Sequence, residues 1–280
     1  MRLVRERPVA AFFVLAFTWS WAVWALLFGL LGPERLAGSR MWHVPFAWGP
    51  PLAALAVTRV ERGGVRTWLG RVADPRTGAR WYLLALVATF LFSDTRSVVA
   101  GLAGVPLGLA APPGEVLGSF FTTLFLAGSL EEFGWRGFAQ ARLQRRWDAL
   151  RAAGVVGLAF GLWHLPWVLP GGAGYEGGGL SALVGLTVFT VLASVVFAWL
   201  FNGSGGAVPV VMLAHAGVNT GTILEPRGPL PGWLPDTQLG FFLWVALAVA
   251  LVAVYGRDRL APDRPDGGDA GASASGPPPA

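Results

Sequence analysis

Cysteine is absent from the 280 residues. Disulfides and thiolate chemistry are therefore excluded. Lysine is absent too, and all 21 basic residues are arginine, which reflects codon usage rather than chemistry. Charge of either sign is scarce: 13% of residues are charged and 54% are hydrophobic, against roughly 25% charged in soluble domains. With a mean hydropathy of +0.55, the composition is that of a membrane protein. Fourteen tryptophans suit helix ends at lipid headgroups. No internal repeat of 20–50 residues is visible, and "GGAGYEGGG" lacks the G-K-[ST] ending of a phosphate loop, so it reads as a flexible outer loop.

A helix needs about 20 apolar residues to cross a bilayer. Residues 9–31 qualify, and the run is too long for a signal peptide and lacks an A-x-A site. A second span is expected near 41–58, kinked or delayed by Pro45, Pro50 and Pro51. Others are expected at 116–140, 152–169, 180–201, 207–223 and 239–255. The apolar run 81–112 is interrupted by "SDTRS" at 93–97 and reads as one crossing, with Asp94 and Arg96 in an outer turn. His43, beside Trp42, reads as an interfacial residue. The expected fold is an all-α, polytopic bundle of about eight transmembrane helices. Residues 1–255 form a single domain and 256–280 a disordered cytoplasmic tail.

Arginine placement orients the bundle. With both termini cytoplasmic, inner segments hold 16 arginines and outer segments 4, as the positive-inside rule requires. Topology thus accounts for the net charge of +5, and no nucleic-acid partner is implied.

Ionisable groups at membrane depth mark function. "GSLEEFGWRGF" places Glu131, Glu132 and Arg136 inside an apolar run. At about 1.5 Å per residue, Glu131 lies about 16 Å from Arg142, His164 about 20 Å beyond Arg151, and His215 about 15 Å past the Gly205–Gly206 turn. Asn219 follows one turn later. Glu132 and Arg136 are i and i+4 and can form an ion pair. Glu131 points elsewhere, without a partner four residues on, where Trp135 stands. Phe160 lies one turn before His164 and can pack against the imidazole. A carboxylate that takes a proton from water, imidazoles that orient it, and N–H groups that hold an oxyanion together suit hydrolysis.

These residues resemble a known family. "EEFGWR" matches E-E-x-x-x-R, "FGLWH" matches F-x-x-x-H, and "HAGVN" matches H-x-x-x-N. On separate spans in this order they are similar to the CPBP family, which includes type 2 CAAX prenyl endopeptidases and bacterial Abi homologues. The similarity covers roughly 115–223. It implies an intramembrane endopeptidase in which Glu131 and His164 activate water while His215 and Asn219 form the oxyanion hole, with Glu132, Arg136 and Phe160 in support. It also implies a peptide or protein substrate, membrane-associated or lipidated, in a bacterial plasma membrane, and no cofactor. Two alternatives stand beside it. One is a zinc protease with Glu131, His164 and His215 as ligands, although no H-E-x-x-H is present. The other is a proton-coupled transporter or non-catalytic scaffold.

Overall fold

Long apolar runs, and the prolines and glycines that break them, set the architecture. The computed structural model describes residues 2–37, 40–61, 64–168, 178–234 and 239–262. After the short α1 (Arg2–Glu6), the first apolar run forms α2 (Pro8–Ala37). The second run is split into α3 (His43–Ala47) and α4 (Gly49–Val60), which meet at Trp48. Pro50 has no N–H to offer the Phe46 carbonyl. Ser20 Oγ of α2 donates to that oxygen instead, at 2.7 Å, and Trp19 Nε1 donates to the Pro45 carbonyl at 2.9 Å. The proline kink is thus held from α2.

The basic stretch after α4 contains α5 (Val65–Val72), whose Trp68 and Val72 are buried one turn apart. α6 (Ala79–Leu102) then runs without interruption through "SDTRS". The expected outer turn at Asp94 and Arg96 is therefore helix. Asp94 tolerates burial because its Oδ1 accepts the backbone N–H groups of Ile223 (2.8 Å) and Leu224 (2.6 Å). Ser97 Oγ donates to the Leu224 carbonyl at 2.6 Å. These bonds anchor a two-stranded antiparallel ribbon of β1 (Leu107–Leu109) and β2 (Leu224–Pro226), in which Gly108 faces Glu225.

α7 (Pro113–Phe125) is followed by an extended Ala127 and a Gly128 with φ 21°. One 3-10 turn, Gly128–Leu130, then leads into α8 (Glu131–Gly134), a π-helical turn over Trp135–Gln140, and α9 (Ala141–Leu143). α10 (Ala149–Trp163) and α11 (Leu165–Val168) come next, then α12 (Leu180–Gly203), α13 (Val208–Thr220) and α14 (Leu239–Arg259). α10 packs on α12 through glycines: a Cβ on Gly157 would meet Val191 Cα at 2.5 Å, and one on Gly161 would meet Thr187 Cα at 2.7 Å. Small residues four apart give this close helix approach in membranes.

The chain is an all-α membrane protein apart from the short ribbon. Among the described residues, five helical stretches are long and apolar enough to cross a bilayer: α2, α6, the broken stretch Pro113–Leu143, α12 and α14. α10 and α13 are shorter apolar helices, and 43–60 is divided by its prolines. Each expected span corresponds to helix, but not each to a long one. The last helix continues beyond residue 255. Gly256 turns it (φ 70°), Asn202 Nδ2 donates to the Arg259 carbonyl at 2.6 Å, and Leu260 is buried. Of the expected tail, residues 256–259 are exposed helix end and Leu260 and Ala261 are buried, whereas 263–280 lie outside the described residues, as does most of "GGAGYEGGG".

Candidate active site

The two glutamates open α8, directly after the break that ends α7. The first turn of a helix has unpaired N–H groups and the positive end of the helix dipole, both of which favour carboxylates. Ser129 Oγ donates to the Met212 carbonyl at 2.9 Å and ties the break to α13. Adjacent positions on a helix diverge by about 100°, and the two side chains meet different partners. Arg136 Nη1 donates to both oxygens of Glu132, at 3.1 and 2.9 Å. Arg136 Nη2 donates to Ser194 Oγ at 2.8 Å, and the guanidinium lies 5.0 Å from the Phe197 ring centre. The pair is wholly buried. Glu132 has a second partner that its spacing did not reveal: His215 Nδ1 donates to Oε1 at 2.7 Å.

Glu131 is also buried, at 1% exposure, with weaker partners. Trp135 Nε1 lies 3.4 Å from Oε2. The residue four positions on is thus a polar neighbour, contrary to expectation, because its indole N–H turns toward the carboxylate. His43 Nε2 lies 3.8 Å from Oε1.

His164 stands at the junction of α10 and α11, where Pro166 breaks the backbone ladder. Its own N–H bonds to the Gly161 carbonyl at 3.1 Å. The Phe160 carbonyl is left for the side chain, and Nδ1 donates to it at 2.9 Å. A carbonyl only accepts, so the His164 proton is on Nδ1 and Nε2 carries a lone pair. The Phe160 ring packs 5.0 Å from His164 and 5.8 Å from His215. It therefore braces both imidazoles.

His215 and Asn219 lie one turn apart on α13. A Cβ on Gly128 would stand 2.7 Å from Asn219 Nδ2 and 3.4 Å from His215 Nε2. Both nitrogens therefore face the same place beside the α7–α8 break. The glycine leaves that place open. Among the described residues, no group of three or more His, Asp or Glu side chains is spaced to hold a metal ion.

His43, expected at an interface, is half-buried, with 28% of its side chain exposed, and reaches this cluster. Its ring is 5.2 Å from Phe46 and 5.2 Å from Trp167, and it stacks at 15° with its centre 6.3 Å from His164. α3 reaches the carboxylates because α4 packs against α8 at a glycine: a Cβ on Gly134 would meet the Pro50 carbonyl oxygen at 2.6 Å. Signals for this contact exist, in the prolines that divide α3 from α4 and the glycine inside "EEFGWR", but neither names the partner.

A cavity of about 520 Å³ lies apart from this cluster, between α6, α13, α14 and the ribbon, lined by Phe92, Arg96, Val218, Thr222 and Phe241. Its wall includes none of the glutamates or histidines of the site.

Two carboxylates with different partners, imidazoles and a side-chain amide now stand around one break in a helix. Comparison with known proteins finds similarity on the same stretch. Residues 113–221 match the family of type II CAAX prenyl endopeptidases, Rce1-like. The match bears out the resemblance carried by the three motifs, and it covers Glu131, Glu132, Arg136, Phe160, His164, His215 and Asn219. A relative, CAAX prenyl protease 2 of Methanococcus maripaludis, is 26% identical over 149 residues, or 49% of this chain. The chain spans 55% of that relative's length in the match. His43 lies outside the family-matched residues.

Proposed function

We propose that the chain is an intramembrane endopeptidase in which Glu131 activates water. The observation that carries this reading is the unequal treatment of two adjacent carboxylates. Glu132 is held by Arg136 and His215 and serves the architecture. Among the described residues, Glu131 has an indole N–H at 3.4 Å and an imidazole edge at 3.8 Å beside it, which leaves it available to a water. In the reaction, Glu131 takes one proton from the water as the water oxygen bonds to the peptide carbon. The Asn219 amide, a donor in every protonation state, holds the resulting oxyanion. His215 contributes its Nε2 only as an imidazolium, since its Nδ1 proton is committed to Glu132. Collapse breaks the C–N bond, and the proton passes to the departing nitrogen. A donor of this kind accounts for about 10²–10³ in turnover.

The substrate we propose is a peptide segment presented at the membrane. The prenylated class belongs to the relative's name. Eight crossings with both termini cytoplasmic are supported by the division of arginines, 16 in inner segments against Arg35, Arg40 and Arg227 in outer ones, with Arg96 and Arg136 in helices. The deciding experiment is Glu131→Gln in purified, detergent-solubilised protein. Cleavage should vanish while thermal stability stays near wild type. Retained cleavage removes Glu131 as the base.

Zinc is the second reading, favoured by one observation. His164 and His215 each commit Nδ1 to an oxygen acceptor and leave Nε2 as a lone pair, as metal-binding imidazoles do. Among the described residues, the acidic and imidazole groups do not stand as a set of three ligands, and no step above uses a metal. Elemental analysis of active protein separates the readings: stoichiometric zinc with chelator-sensitive cleavage would support the second.

A further inference from the structure

We propose that His43 is a catalytic residue, which positions the attacking water together with Glu131; the proposal rests on the endopeptidase reading. His43 Nε2 and Glu131 Oε1 face each other at 3.8 Å, and with the imidazole proton on Nδ1 both are acceptors. That is too long for a direct hydrogen bond. A single water donating one hydrogen to each at ordinary length would bridge acceptors roughly 4–4.5 Å apart, close to the observed spacing. The first O–H then points at the base and the second at the imidazole, which leaves the oxygen lone pairs directed away from both. Glu131 takes the transferred proton. His43 takes none, so the balance of the reaction is unchanged.

The surroundings of His43 are built to hold one orientation. Phe46 and Trp167 flank the ring, Trp163 meets it edge-on at 6.3 Å, and His164 stacks beyond. Trp163 is fixed in turn, since its carbonyl accepts Trp21 Nε1 at 3.0 Å. The short helix carrying His43 is pinned by Trp19 and Ser20.

Two variants separate catalysis from packing. His43→Phe keeps a ring against its aromatic neighbours and removes both nitrogens. His43→Gln gives up the ring and restores an acceptor oxygen. If His43 orients water, the Phe variant loses about 10²-fold in kcat with little change in KM and a melting temperature near wild type, and the Gln variant turns over faster than the Phe variant. Wild-type turnover in His43→Phe, or equal impairment of both variants, overturns the proposal. Glu131→Gln, assayed in parallel, distinguishes the two failures. An inactive Glu131→Gln beside a fully active His43→Phe removes His43 alone, whereas an active Glu131→Gln removes the underlying reading.

Discussion

His215 Nδ1 lies 2.7 Å from an oxygen of Glu132, the same carboxylate that binds Arg136. Three side chains from two helices therefore form one buried unit, and the ion pair expected on spacing alone fixes an imidazole tautomer as well. Removing one partner of such a unit leaves the others without compensation. Glu132→Gln is expected to cost about 3–5 kcal/mol, the usual penalty for stranding a buried charge. Glu132→Gln combined with Arg136→Met should recover much of that stability but not activity, because His215 loses its anchor. Thermal unfolding and cleavage assays of both variants check the separation.

Asn219 and His215 converge on the space left by Gly128. Asn219→Ala is expected to lower kcat by about 10²-fold with KM nearly unchanged. Steady-state kinetics on a peptide substrate reads this directly. An equal loss confined to KM would assign Asn219 to ground-state binding instead.

Gly128→Ala should be more damaging than its size suggests. Its Cβ would stand 2.7 Å from Asn219 Nδ2 and 3.0 Å from Thr123 Cγ2, closer than carbon normally sits to either. The glycine also has φ 21°. We expect cleavage to be lost in a protein that still folds, checked by assay beside size-exclusion chromatography.

Asp148 caps α10, where Oδ1 accepts the Arg151 N–H at 2.8 Å, and it binds Arg257 through Oδ2 at 2.7 Å. The hydrogen bond from Arg257, and then that from the Arg151 backbone, hold its carboxyl below the ordinary carboxylate range. A depressed carboxyl contributes stability above its unfolded pKa, about 3.9 for aspartate, and loses it as pH falls through the lower folded value. The melting-temperature gap between wild type and Asp148→Asn should hold steady from neutral pH to about 5 and close below about 4. High salt should narrow it throughout, because the group is at the surface.

A chain without cysteine permits a direct test of orientation. Arg145→Cys and Arg227→Cys fall on segments assigned to opposite sides by the arginine distribution. A membrane-impermeant maleimide applied from outside is expected to label position 227 in intact cells and position 145 only after lysis. The reverse pattern would invert the topology.

The helices were legible in outline because their residues form long apolar runs, although 41–58, 152–169 and 207–223 give only shorter helices, and Glu131, Glu132, Arg136, His164 and His215 stood out because polar and ionisable groups are costly inside such runs. Asp94 was misread for a related reason. A carboxylate in an apolar run suggests a turn, but its partners, the N–H groups of Ile223 and Leu224, come from a strand more than a hundred residues away. His43 was hidden by its neighbours, since a histidine beside a tryptophan is what a headgroup region contains. Trp135 escaped notice because indole counts as apolar although its N–H is a donor.

Gly134 rests on the backbone of Pro50 with no side chain between them, and this seam has a consequence for engineering. Grafting residues 113–221 into another scaffold would carry over the motif residues but not the proline-kinked α3–α4 segment that seats on them. Such a chimera would need a host whose own backbone offers an equally bare landing surface.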